Sequence, residues 1–123
     1  KTDIYDAANQ LLERGPDVVV IKQGCNGSLL AYSDIRIQIP AFPIKKLIDP
    51  TGAGDSFAGG FIGHLAYNGN DELLEAVITG SAVASFTVSG FGIEGLLEAN
   101  MDTIHKRMDK IRTTIVKTKN YIN

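Results

Sequence analysis

The stretch Asp49-Pro50-Thr51-Gly52-Ala53-Gly54-Asp55-Ser56-Phe57-Ala58-Gly59-Gly60-Phe61 decides how this sequence is read. Two glycines around an alanine let the backbone turn tightly and gather several N–H groups on one side. A helical pattern begins at Asp55 and runs to about Tyr67, with Phe57, Phe61, Ile62 and Leu65 expected on one side. The gathered N–H groups therefore sit at a helix N-terminus, where unpaired donors and a partial positive charge attract anions. Small side chains leave room for a phosphate to touch the backbone. Asp55 is odd there, because a carboxylate repels the anion beside it. Its place makes sense if it takes a proton from a hydroxyl that attacks the phosphate while the 52–54 backbone stabilises the transferring group. The bland alternative is that Asp55 only caps a helix. Gly59 and Gly60 cost about 1 kcal/mol each inside a helix, which suggests close approach by another helix or a ligand.

On the N-terminal side, residues 3–14 carry Ile4, Ala7, Ala8, Leu11 and Leu12 at amphipathic-helix spacing, with Thr2 or Asp3 as cap and Gly15-Pro16 as stop. Val18-Val19-Val20-Ile21 follows, an apolar run without alternation, as in a strand buried on both faces. Gln23-Gly24-Cys25-Asn26-Gly27 is a turn that predicts a hairpin to residues 28–32. Residues 35–39 alternate as a half-exposed strand, and residues 44–48 read as another short strand. On the C-terminal side, Asp71 is the expected cap of a helix over residues 72–88, which Ser89-Gly90-Phe91-Gly92 ends. Asn100 or Asp102 opens a last helix to about Lys119, with the stripe Ile104, Met108, Ile111 and Ile115. Helices alternating with strands indicate an α/β fold.

The 123 residues suit one domain, with 44% apolar and 21% charged residues, which argues against disorder. A net charge of −2 gives no general reason to bind nucleic acid or an anionic membrane. Cys25 is the one cysteine, so a reducing, cytoplasmic setting is expected and the residue reads as an ordinary thiol. No signal-peptide core or membrane span is read, and the start at Lys1 rather than Met suggests a fragment or a processed product. Lys106, Arg107, Lys110, Arg112, Lys117 and Lys119 make the last helix basic, read as a solvated face. A dinucleotide fingerprint would need a third glycine where Phe57 stands, and no glycine loop ends in the Lys-Ser/Thr of a P-loop.

Residues 49–61 resemble the carboxy-terminal signature of the ribokinase-like (PfkB-type) carbohydrate and nucleoside kinases. The likeness extends to residues 18–30, similar to that family's strand–turn–strand, and to residues 82–92, similar to its alanine-rich helix ending in glycine. The resemblance implies a three-layer α/β fold with a mostly parallel sheet, of which residues 1–123 would form the carboxy-terminal, nucleotide-binding part. It also implies ATP-dependent phosphoryl transfer to a hydroxyl of a sugar or nucleoside. Asp55 matches the family's base, and Gly52, Ala53 and Gly54 match its anion hole. Lys22, Gly24 and Gly27 match the turn along the ATP phosphates, although many relatives have Thr where Lys22 stands. Ser81, Ala82 and Ser85 fall at the adenine wall, with Phe91 and Gly92 nearby. Asp49 and Thr51 match positions that bind a monovalent cation such as K+, and Mg2+ is the usual metal. The family's amino-terminal half, which supplies sugar-binding strands and a lid, has no counterpart here. A non-catalytic nucleotide-binding module is therefore the competing reading. The missing strands would leave an apolar sheet edge, so a homodimer is expected.

Overall fold

The computed structural model describes residues 3–44, 51–89 and 99–122. Helix α1, Ile4–Glu13, starts at Asp3, whose carboxylate accepts the Tyr5 N–H at 2.9 Å. Strand β1, Val18–Lys22, follows, and a 3-10 turn at Gly24–Asn26 joins it to β2, Ser28–Tyr32. Strand β3, Ile35–Ile39, returns after the two-residue turn Ser33-Asp34. Helices α2 (Ala53–Asn68), α3 (Leu73–Val88) and α4 (Met101–Ile122) complete the order. The cap of α3 is Glu72 rather than Asp71, and no side chain closes it. At the start of α4 the Asn100 carboxamide oxygen accepts the Thr103 N–H at 2.9 Å, so Asn100 rather than Asp102 is the cap. The expected strand over 44–48 and the helix stop at Gly90 and beyond lie outside the described residues, apart from Ile44, which is not in a strand.

The three strands form a meander of order β1-β2-β3, and both pairings are antiparallel. The β1–β2 pair is the hairpin expected around the 23–27 turn, and a small antiparallel sheet of this kind is compatible with part of an α/β fold. β1 has β2 on one side and no strand on the other among the described residues. That open edge explains why Val18, Val20 and Ile21 are only partly buried although their run reads as an interior strand. Helices cover both faces, as the three-layer reading requires. Leu29, Ala31 and Val19 pack with Ala8 of α1 on one face. Leu30 and Ile39 pack on the other with Phe57, Val77, Ile78, Ala82, Met108 and Ile111 from α2, α3 and α4. Leu29, Leu30 and Ala31 point alternately to the two cores, so β2 is buried on both faces and is the central strand.

Helices α2 and α3 pack closely through glycine. A Cβ on Gly60 would lie 3.0 Å from the Gly80 Cα, and one on Gly80 would lie 2.7 Å from the Phe57 carbonyl oxygen. Gly60 thus admits another helix, whereas a Cβ on Gly59 would meet nothing within 4 Å. Ile62, expected on the packed side of α2, is instead 63% exposed. The packed face is set by the small residue Gly60, so counting large apolar side chains misplaces it. In α4 the expected stripe is buried or partly buried against the core. Arg112 clasps Glu75 of α3 with two hydrogen bonds, at 2.6 and 3.1 Å, and this bonding holds the guanidinium pKa above its ordinary value. No helix among the described residues is long and apolar enough to cross a membrane.

Candidate active site

Two segments far apart in sequence meet at the mouth of a cleft. The first is the β1–β2 turn, closed by Gln23 N–H to Gly27 O at 2.7 Å and Gly27 N–H to Gly24 O at 3.1 Å. Gly27 has φ +90°, and a Cβ there would lie 2.1 Å from the Ile39 carbonyl oxygen, so only glycine fits. The second is the start of α2, two residues before the position read from sequence. Its cap is Gly52 in the left-handed region, φ 83°, a residue with no side chain of its own to cap the first N–H groups. Asp55 is exposed in the first turn and is not the cap, so the bland capping reading does not describe it. Ser56 Oγ and Thr87 Oγ1 lie 2.7 Å apart and tie this helix start to the end of α3.

Lys22, the last residue of β1, places its Nζ 5.1 Å from the Phe57 ring centroid and 3.2 Å from where a Cβ on Gly54 would stand. An ammonium beside a helix N-terminus is unfavourable, because both carry positive charge. An anion between them would offset both. Ala53 and Phe57 contribute to a cleft of about 560 Å³, within the range of small-molecule sites. Lys22, Gly24, Cys25 and Gly27 line it from β1 and the β1–β2 turn, and Ser81, Ala84, Ser85 and Val88 line it from α3. Phe42 and Pro43, from the segment after β3, also line it.

The structure therefore brings Lys22, Gly24, Gly27, Ala53, Ser81 and Ser85 together. Gly52, Gly54 and Asp55 lie at the same helix start, and Thr51 directly precedes it. Ala82 is fully buried in the core and does not line the cleft. The reason is helical phase: positions 81, 84, 85 and 88 share one face, and 82 points elsewhere. That spacing would have found Ala84 and Val88 in the sequence. Asp49, Phe91 and Gly92 lie outside the described residues. Arg107 was missed as well. It does not lie on a solvated face, since its guanidinium stacks on Phe86 and Phe42 and donates to Ser85 Oγ. Its position one residue before Met108, inside the packed stripe of α4, was the available signal.

Comparison with known proteins bears on the family and the fold. Residues 1–100 match the model of the pfkB family carbohydrate kinases. The chain is 36% identical over 96 residues to a nucleoside kinase of Methanocaldococcus jannaschii, covering 78% of this chain and 31% of that protein. A crystal structure of ribokinase from Thermotoga maritima superposes with a TM-score of 0.74 at 31% identity, over 88% of this chain and 35% of that one. Aminoimidazole riboside kinase from Salmonella enterica, solved with aminoimidazole riboside and an ATP analog, gives 0.72 at 27% identity, over 88% and 37%. The chain thus spans about a third of the length of such relatives. A three-layer core, a glycine-capped helix start beside Lys22 and the family match over residues 1–100 lead to one conclusion: this chain belongs to the pfkB family of carbohydrate kinases, with the ribokinase fold.

Proposed function

We propose that these residues form the nucleotide-binding part of a kinase that transfers a phosphoryl group from ATP to a hydroxyl of a sugar or nucleoside. The observation that carries the reading is the approach of Lys22 Nζ to Gly54 at the start of α2. Two positive features converge there, and a phosphate chain between them would satisfy both. Gly24 and Gly27 hold the turn that flanks the phosphates, and Ser81, Ala84 and Ser85 form the wall for the base. The N–H groups at Gly52, Ala53 and Gly54 would hold the transferring phosphoryl group. Asp55, in the same turn and open to solvent, would accept the proton of the attacking hydroxyl. The relatives named above act on small hydroxyl-bearing substrates by their names, and one is solved with an ATP analog.

Among the described residues no three His, Cys, Asp or Glu side chains cluster as a metal site. Mg2+ fits this site as an ion carried by the nucleotide phosphates and water, its usual form in phosphoryl transfer. It would neutralise phosphate charge. Thr51 is the described member of the pair proposed for K+. A cytoplasmic setting accords with the single thiol, Cys25, left free and exposed.

Asp55→Asn in the full coding frame that carries these residues tests the assignment. Turnover should fall by about 10²–10⁴ while ATP affinity holds. Near-normal turnover in that variant would remove Asp55 as the base. The apolar, one-sided edge of β1 also suits pairing with a second copy, giving a homodimer of the 123-residue chain. Sedimentation velocity should show the dimer, and a compact stable monomer would contradict it.

A further inference from the structure

We propose that Arg107 is a positioning residue that fixes the width of the base-binding end of the cleft and thereby the choice of nucleotide. The inference rests on the nucleotide reading of the cleft given above. Arg107 comes from α4 and is not itself among the residues lining the cleft. Its guanidinium carbon lies 3.7 Å from the centroid of Phe86 and 4.5 Å from that of Phe42. Its Nη1 donates to Ser85 Oγ at 2.7 Å. Phe86 and Ser85 belong to α3, whereas Phe42 belongs to the segment after β3, which has no regular secondary structure at residues 41–44. One side chain that does not line the cleft therefore joins two elements that do, α3 and the segment after β3.

The chemistry suits a clamp. A guanidinium is planar and permanently charged, so it can stack on aromatic faces while its edge donates hydrogen bonds. Ser85 is 5% exposed, and its hydroxyl donates to the Ala82 carbonyl at 2.5 Å while accepting from Arg107. The hydroxyl proton is thus committed to the helix, and the hydroxyl meets a ligand as a fixed wall rather than a free rotor. On the other side, the 41–44 segment is anchored at its start, where Gly27 packs against Pro40 and Ala41. Beyond that point Phe42 packs on the edge of the core and under the Arg107 guanidinium. Loss of the guanidinium would free Phe42 and widen the slot for the base without touching Lys22, the α2 start or Asp55.

The test is a binding series on the full coding frame. It would titrate ATP, GTP, CTP and tripolyphosphate, which has no base, against the wild type, Arg107→Ala, Arg107→Lys and Phe42→Leu. Arg107→Ala should weaken ATP by about tenfold, reduce the preference for ATP over GTP and CTP, and leave tripolyphosphate unchanged. Arg107→Lys should recover part of the preference, since an ammonium can still sit over Phe86. Phe42→Leu, a mild change of a half-buried residue, should shift the preference in the same direction even if Arg107→Ala does not fold. Equal losses for all four ligands, or an unchanged preference in both Arg107→Ala and Phe42→Leu, would overturn the proposal. A wild type that binds no nucleotide would instead overturn the reading of the cleft on which it rests.

Discussion

The turn at Gly24–Asn26 and the helix start at Gly52 are both built from glycine, yet their glycines do different work. Gly27 is held by its neighbours: φ is +90°, and a Cβ would collide with the backbone of Ile39 and Pro40. Gly54 is not in the left-handed region, and among the described residues a Cβ there would meet the Lys22 Nζ at 3.2 Å. In the second motif the left-handed residue is Gly52. One turn thus needs glycine in order to fold, and the other keeps glycine where the neighbour is the movable end of a lysine side chain rather than backbone. A movable ammonium beside a helix N-terminus suits a bound phosphate, which both can contact once the lysine side chain gives way.

This contrast can be broken by substitution. The largest effect is expected at Gly27→Ala. Backbone strain and overpacking together should cost roughly 2–6 kcal/mol, read as a lower urea midpoint or loss of soluble protein. A folded variant of ordinary stability would show that the turn tolerates a side chain. Gly54→Ala should behave in the opposite way. Its helical backbone accepts alanine, which is favoured over glycine by about 1 kcal/mol, so stability should hold or rise. Nucleotide affinity should fall by about tenfold, because the methyl group occupies the phosphate position. Unchanged affinity at Gly54→Ala would erase the distinction between the two turns.

Much of this was legible before any coordinates. Residues 49–61 announce an anion-binding helix start because glycine spacing and helix polarity are local properties. The ends of α1 and the stripe of α4 follow from caps and periodicity. The readings that failed depend on neighbours. Ile62 was placed inward because it is large and apolar, but α2 approaches α3 through Gly60, which turns Ile62 to solvent. Ala82 was placed at the cleft by likeness to a family helix, while the helical phase of Ser81, Ala84, Ser85 and Val88 puts it in the core. The open edge of β1, in contrast, follows the expectation that strands of the family's amino-terminal half are missing, since only β2 pairs with it among the described residues. The meeting of Lys22 with Gly54 and the Arg107 clamp are tertiary contacts with no local pattern of their own.

The central claim is that phosphate lies between Lys22 and the start of α2. A crystal structure with a non-hydrolysable ATP analogue, grown from the full coding frame, tests it most directly. The account predicts the terminal phosphates within hydrogen-bond reach of Lys22 Nζ and the 52–54 backbone N–H groups, with the base against Ser81 and Ser85. An analogue bound elsewhere, with the helix start at Gly52 left empty, would contradict it.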